Sequence, residues 1–173
     1  MSGKTPTRQE ALDLVLQYTE TDSLVTHAKA VEAAMRFMAH KAGADEEMWG
    51  AIGLVHDLDY EKFPAQHCHK TEAILRENDW PEDYIRAVLS HGWGICTDVE
   101  PQSLVEKTLY TVDELAGFVS ACALVRPSRS VQDLEVKSVK KKWKQKSFAA
   151  GVDREVVARG MAMLGVEFNE ITA

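Results

Sequence analysis

The sequence predicts an all-α fold, on three observations. Apolar residues recur at three- and four-residue spacing in one segment after another. Those segments are punctuated by helix signals: Thr21-Asp22-Ser23, Asp45, Trp80-Pro81 and Gly151-Val152-Asp153 at starts, Gly43 and Pro127 at stops. No run of alternating strand residues, internal repeat or low-complexity segment interrupts the pattern.

The first helix is expected over Arg8 to Glu20, with Leu12, Val15, Leu16 and Thr19 on its inward face. A second runs from about Leu24 to Lys41, carries Val31, Ala34, Met35 and Met38 inward, and has His27 one turn from its start. Asp45 caps a third, Glu46 to about Asp57, with Met48, Ile52 and Val55 apolar and a His56-Asp57 doublet at its end. Pro64 interrupts the chain, and Gln66 to Asn78 reads as a fourth helix with His67 in its first turn. The fifth starts at Trp80-Pro81-Glu82-Asp83, where proline at the first turn and acids at the positive end of the dipole are both favoured, and it ends at His91-Gly92. Leu104 to Val125 is a long apolar helix containing Asp113. Asp133 to Lys146 and Arg154 to Leu164 complete the set, and the chain is expected to fray after Gly165. About seven to eight helices result.

A chain of 173 residues is in the usual range for one domain and can bury a core without disulfides or structural metal. The expectation is a single domain over residues 1–173, with a ligand-bearing core at about 23–125 and basic and C-terminal helices at 130–165. A net charge of −7 argues against a general nucleic-acid binder, which normally shows a basic face. One local run departs from it: six lysines lie between positions 137 and 146, read first as a solvated amphipathic face and second as a phosphate-recruiting surface. Cys68, Cys96 and Cys122 are widely spaced and odd in number, so no disulfide framework or zinc knuckle is expected, and a reducing cytoplasm is the default. The N-terminus lacks the apolar core of a signal peptide, and no run is long enough for a membrane span.

Four of the six histidines, His27, His56, His67 and His91, fall at helix ends or first turns, where side chains can converge on one cavity. With Asp57 and Asp113 they make a set of four imidazoles and two carboxylates, enough for a pair of first-row metal ions. A single histidine at a helix end is ordinarily a cap or a surface residue; the set of six changes that reading.

The order His27, His56-Asp57, His67, His91, Asp113 resembles the His…His-Asp…His…His…Asp pattern of the HD-domain superfamily of metal-dependent phosphohydrolases. The resemblance covers roughly Ser23 to Val125. It extends to Lys70-Thr71-Glu72-Ala73-Ile74-Leu75 after His67, Tyr84 to Ser90 before His91, and Leu109 to Leu115 around Asp113. It implies that His27, His56, Asp57 and Asp113 hold one metal, and that His67, His91 and a bridging Asp57 hold a second. One or two divalent ions such as iron, manganese or zinc are the implied cofactors. The implied activity is cleavage of a phosphate ester or anhydride of a small molecule, a nucleotide in the first instance, by metal-activated hydroxide. Two alternatives stand beside it: a di-iron oxygenase of the same superfamily, and a non-catalytic metal-binding module.

The chain departs from the superfamily after the doublet, where many members read His-Asp-Ile-Gly-Lys and this one reads His56-Asp57-Leu58-Asp59-Tyr60-Glu61-Lys62. That puts in doubt a phosphate-contacting lysine there and offers Asp59, Tyr60 and Glu61 as acid or base groups. Asp57 and Asp59 are the candidate catalytic carboxylates; Lys62, Lys70 and Arg126 are the candidate substrate-binding cations.

Overall fold

The computed structural model describes residues 4–172. Among them are nine α-helices, one 3₁₀ turn and no β-strand, so the fold is all-α. The helices are α1 (Arg8–Tyr18), α2 (Asp22–Ala42), α3 (Glu46–Val55), α4 (His69–Glu77), α5 (Glu82–Ser90), α6 (Leu104–Leu124), α7 (Val136–Trp143), α8 (Arg154–Leu164) and α9 (Phe168–Ile171). No described helix is long and apolar enough to cross a membrane. Where the sequence suggests one domain, the chain divides into two compact units, Met1–Tyr110 and Thr111–Ala173, with the division inside α6.

In the first unit, α1 starts with a capping box in which Thr7 and Glu10 satisfy each other's backbone N–H groups. Of the expected Leu12, Val15, Leu16 and Thr19 face, Val15 and Thr19 are buried and Leu16 is exposed; Ala11 and Leu14 complete the buried side. The helix ends two residues early, and Glu61 accepts hydrogen bonds from the backbone N–H of Glu20 and Thr21. That carboxylate also accepts from the Thr21 hydroxyl, so it caps the start of α2 from 40 residues away. The Thr21 side chain itself makes no capping bond.

Helices α2 and α3 approach closely at Gly53. A Cβ there would lie 3.0 to 3.1 Å from Met35 Cγ, the Glu32 Cα and the Val31 carbonyl. An ion network centred on buried Glu32 reinforces this packing. Glu32 accepts two bonds from Arg8 on α1 (2.6 and 2.9 Å) and one from Arg36 (3.0 Å), and Arg36 reaches Glu47 on α3. Asp45 caps α3 by accepting from the N–H groups of Glu47 and Met48, as expected from its position. At the start of α6, Glu106 accepts from the N–H groups of Gln102 and Ser103 and pairs with Arg86 of α5 at 3.1 Å.

The second unit has its own core of Phe118, Cys122 and Val139, with Trp143, Phe148 and Phe168 packed against it. Arg154 organises it: the guanidinium stacks 5.2 Å from the Phe118 ring centre and 5.1 Å from that of Trp143, and donates to the Phe148 carbonyl at 2.7 Å. Helix α7 is shorter at both ends than the sequence suggests. A short α9 forms beyond Gly165, where fraying was expected, and its Phe168 packs 4.9 Å from Trp143.

Candidate metal centre

The site in the first unit is built on the ends of helices. His56 occupies the C-cap of α3 and His91 the C-cap of α5. In both, Nδ1 donates to the carbonyl three residues back, Gly53 for His56 (2.8 Å) and Val88 for His91. Carbonyls in the last turn of a helix keep lone-pair capacity for an outside donor, so the imidazole takes it up and is oriented in return, at Val88 beside the His91 N–H, which donates at 3.3 Å. A carbonyl can only accept, which puts the proton on Nδ1 and leaves Nε2 as a lone-pair donor.

His67 reaches the same arrangement by another route. It does not lie in a helix: a 3₁₀ turn, Pro64–Gln66, precedes it, and Cys68, in the left-handed region at φ 69°, breaks the chain before α4 begins at His69. The helix predicted from Gln66 therefore starts three residues later. His67 Nδ1 donates to Asp59 Oδ1 at 2.7 Å, and Asp59 Oδ2 accepts from the Thr71 N–H at 2.8 Å. Asp59 N in turn donates to the Thr71 hydroxyl at 3.2 Å. His69, two residues on, is exposed and opens α4.

All three Nε2 atoms face Asp57. His56 Nε2 lies 3.3 Å from Oδ2, His91 Nε2 3.4 Å from Oδ1 and His67 Nε2 3.6 Å from Oδ1. The His27 ring on α2 stands 5.4 Å from that of His56. The ligand atoms of Asp57, His67 and His91 lie within 4.8 Å of one another, as do those of His27, His56 and Asp57. Asp57 belongs to both groups. Asp113 sits on α6, one turn beyond Tyr110, at the start of the second unit.

Lone pairs of imidazoles and a carboxylate converging on one volume repel unless cations stand among them. His91 Nε2 is buried and makes no hydrogen bond, a cost of about 1–3 kcal/mol if nothing compensates it. The donor set, imidazole and carboxylate without sulfur at its centre, suits first-row divalent ions, and the Asp59–His67 pair is the usual outer support of a metal-binding histidine. The residues fit a metal centre. In the absence of one, burial raises the Asp57 carboxyl, but positive charge on His56 and on His91 beside it outweighs this and holds it well below the carboxylate range. For His67, burial lowers the imidazole pKa, and the hydrogen bond to Asp59 with the charge of Asp57 overcomes it, for a net rise.

The remaining candidates divide. Asp59, expected as a catalytic acid or base, is fully buried with both oxygens engaged, and it stands behind His67 rather than at an open face. Lys62 is turned to α1, where it donates to the Gln17 carbonyl at 3.0 Å and pairs with Glu20 at 3.2 Å. Glu61 is the cap of α2. Lys70, in the first turn of α4, lies 5.3 Å over the Phe63 ring. Tyr60 is half exposed, its ring 5.4 Å from that of His67. Arg126 belongs to the second unit, where it donates to Asp133 at 2.9 Å and lines a pocket of about 510 Å³ with Lys141, Lys142 and Gln145.

The expectation of unpaired cysteines is overturned for two of the three. Cys68 and Cys96, 28 residues apart in sequence, are joined as a disulfide, and Cys122 is free and buried. The spacing carried no local motif, because the fold, and not a short turn, brings the pair together. No protein-family model matches the chain, and no solved structure matches it.

Proposed function

We propose that the protein is a metal-dependent phosphohydrolase of the HD-domain type, cleaving a phosphate ester or anhydride of a small molecule, a nucleotide in the first instance, in the cytoplasm. The observation that carries this reading is the convergence of three Nε2 atoms on Asp57, each with its Nδ1 already committed to an acceptor. In it, Asp57 bridges two positions, one supported by His27 and His56 and the other by His67 and His91. Asp113 is assigned to the first of these on the superfamily resemblance alone.

Divalent ions held there supply Lewis acidity, neutralising charge on a phosphoryl oxygen and acidifying water. The chain's own groups do the rest. His56 and His91 are fixed by helix carbonyls, so their lone pairs are aimed before any ion arrives. Asp59 holds His67 in the matching tautomer and is a positioning residue in this reading. Lys70 is the first-unit cation assigned to the remaining phosphate charge, since Lys62 is engaged with α1. Half-exposed Tyr60 is the remaining group near His67 that can give or take a proton at an open face.

The test is a screen of phosphomonoesters, phosphodiesters and nucleoside polyphosphates with manganese- and iron-loaded protein, run beside His56→Ala. Hydrolysis by the native chain, read as phosphate from monoesters, as monoester from diesters and as phosphate or pyrophosphate from polyphosphates, that falls at least 100-fold in the variant supports the reading. Metal-loaded protein that hydrolyses none of them but consumes dioxygen with bound iron would replace it with the oxygenase alternative, and metal binding with neither activity would leave a binding module.

A further inference from the structure

The segments carrying His67 and His91 are tied together directly beside the imidazoles. Cys68 follows His67, Cys96 lies five residues past His91, and their Cα atoms are 6.4 Å apart, within the range a disulfide spans. Cys68 is fully buried, and Cys96 is partly exposed. Gly92, the residue after His91, makes room for the bond: a Cβ there would overlap both sulfurs. The 92–97 loop closes on itself as Cys96 N and Thr97 N both donate to the Gly92 carbonyl, at 2.9 and 3.1 Å. A bond between Cys68 and Cys96 therefore fixes the loop after His91 against the residue after His67.

We propose that Cys68 and Cys96 are a redox modification site that sets the occupancy of the ion position formed by Asp57, His67 and His91. This rests on the metal reading above. Closed, the bond holds the two histidine-bearing segments at their mutual spacing; open, it releases them, and the position loses its preorganisation. In a reducing compartment the pair is open by default and closes under oxidant. The oxidant is a low-molecular-weight disulfide. The Cys96 thiolate, the accessible one, attacks it and expels one thiol; Cys68 then attacks the mixed disulfide and expels the second. Two electrons pass to the reagent's S–S bond, and the two cysteine protons end on the two thiols released.

The experiment uses the full chain, oxidised with glutathione disulfide or reduced with a phosphine, and Cys96→Ser under both treatments. Thiols are counted by maleimide mass shift after denaturation, and Mn²⁺ binding is titrated and checked by elemental analysis, with circular dichroism confirming the helical fold of the variant. The expected result is one labelled thiol and about two manganese per chain in the oxidised form, then three thiols and second-ion affinity about 10-fold weaker or more on reduction, the scale of losing an outer support. Cys96→Ser should resemble the reduced form under either treatment. Equal affinity in both redox states overturns the proposal while leaving the metal reading intact, and three labelled thiols after oxidation overturn it as well. No manganese in either state removes the metal reading and the proposal with it.

Discussion

At the scale of single residues, the centre depends on how each imidazole is held. His56 and His91 use backbone carbonyls that any sequence would supply at those helix ends, whereas His67 relies on one side chain, Asp59. Asp59→Asn is therefore expected to weaken binding at the second position by about 10- to 100-fold while leaving the first unchanged, as a two-step manganese titration would show. The pH dependence follows from the raised His67 pKa. An ion must displace the proton from Nε2, so second-ion affinity should climb with pH until His67's value, above the ordinary 6.5, is passed. In Asp59→Asn that climb should finish at lower pH. A titration curve unmoved by the substitution would show that Asp59 does not set the imidazole's protonation.

At the scale of elements, the position of His56 follows from how closely α3 lies on α2. Two of the three atoms that a Cβ at Gly53 would meet are backbone atoms and cannot swing aside. Gly53→Ala should cost about 1–3 kcal/mol, more than the gain in helix propensity returns, and should lower first-site metal affinity in the same variant. Glu32 is buried between Arg8 and Arg36, and Glu32→Ala leaves the half-exposed Arg8 without its partner and Arg36 with Glu47 alone, at an expected cost of about 1–2 kcal/mol in chemical denaturation. The α1 capping box has a signature in acid. The hydrogen bond and ion pair with Lys4, and bonds from Thr7, lower the Glu10 carboxyl from 4.5 to about 2. Its contribution to stability is thus complete above pH about 4.5 and is lost as pH falls through 2. Glu10→Gln should flatten the acid limb of the stability curve over that interval and leave the curve's shape at higher pH unchanged.

At the scale of the whole molecule, what could be read in advance was what depends on local pattern. Asp45, Pro81 and Asp153 mark helix starts through side-chain and backbone chemistry within one turn, and α3, α6 and α8 begin where the sequence says they should. His56 and His91 were legible because helix ends are legible. What escaped depends on partners far along the chain. Lys62 looked available until Gln17 and Glu20, over 40 residues away, were found to hold it; Glu61 caps a helix 40 residues upstream; Asp59's role exists only because Thr71 and His67 return to it. The Cys68–Cys96 bond and the left-handed backbone at Cys68 belong to the same class, as does the second unit's core around Arg154, whose cationic stack no periodicity reveals. Arg154→Ala should lower the melting temperature through the second unit while first-unit manganese binding at 20 °C persists.

In the proposed centre Asp57 is shared by two ion positions, only one of which needs His67. Elemental analysis of anaerobically purified native protein and His67→Ala distinguishes the two positions. About two metal ions per chain are expected in the native protein and about one in the variant. The same stoichiometry in both would contradict the shared-carboxylate arrangement, and no metal in the native protein would contradict the centre itself.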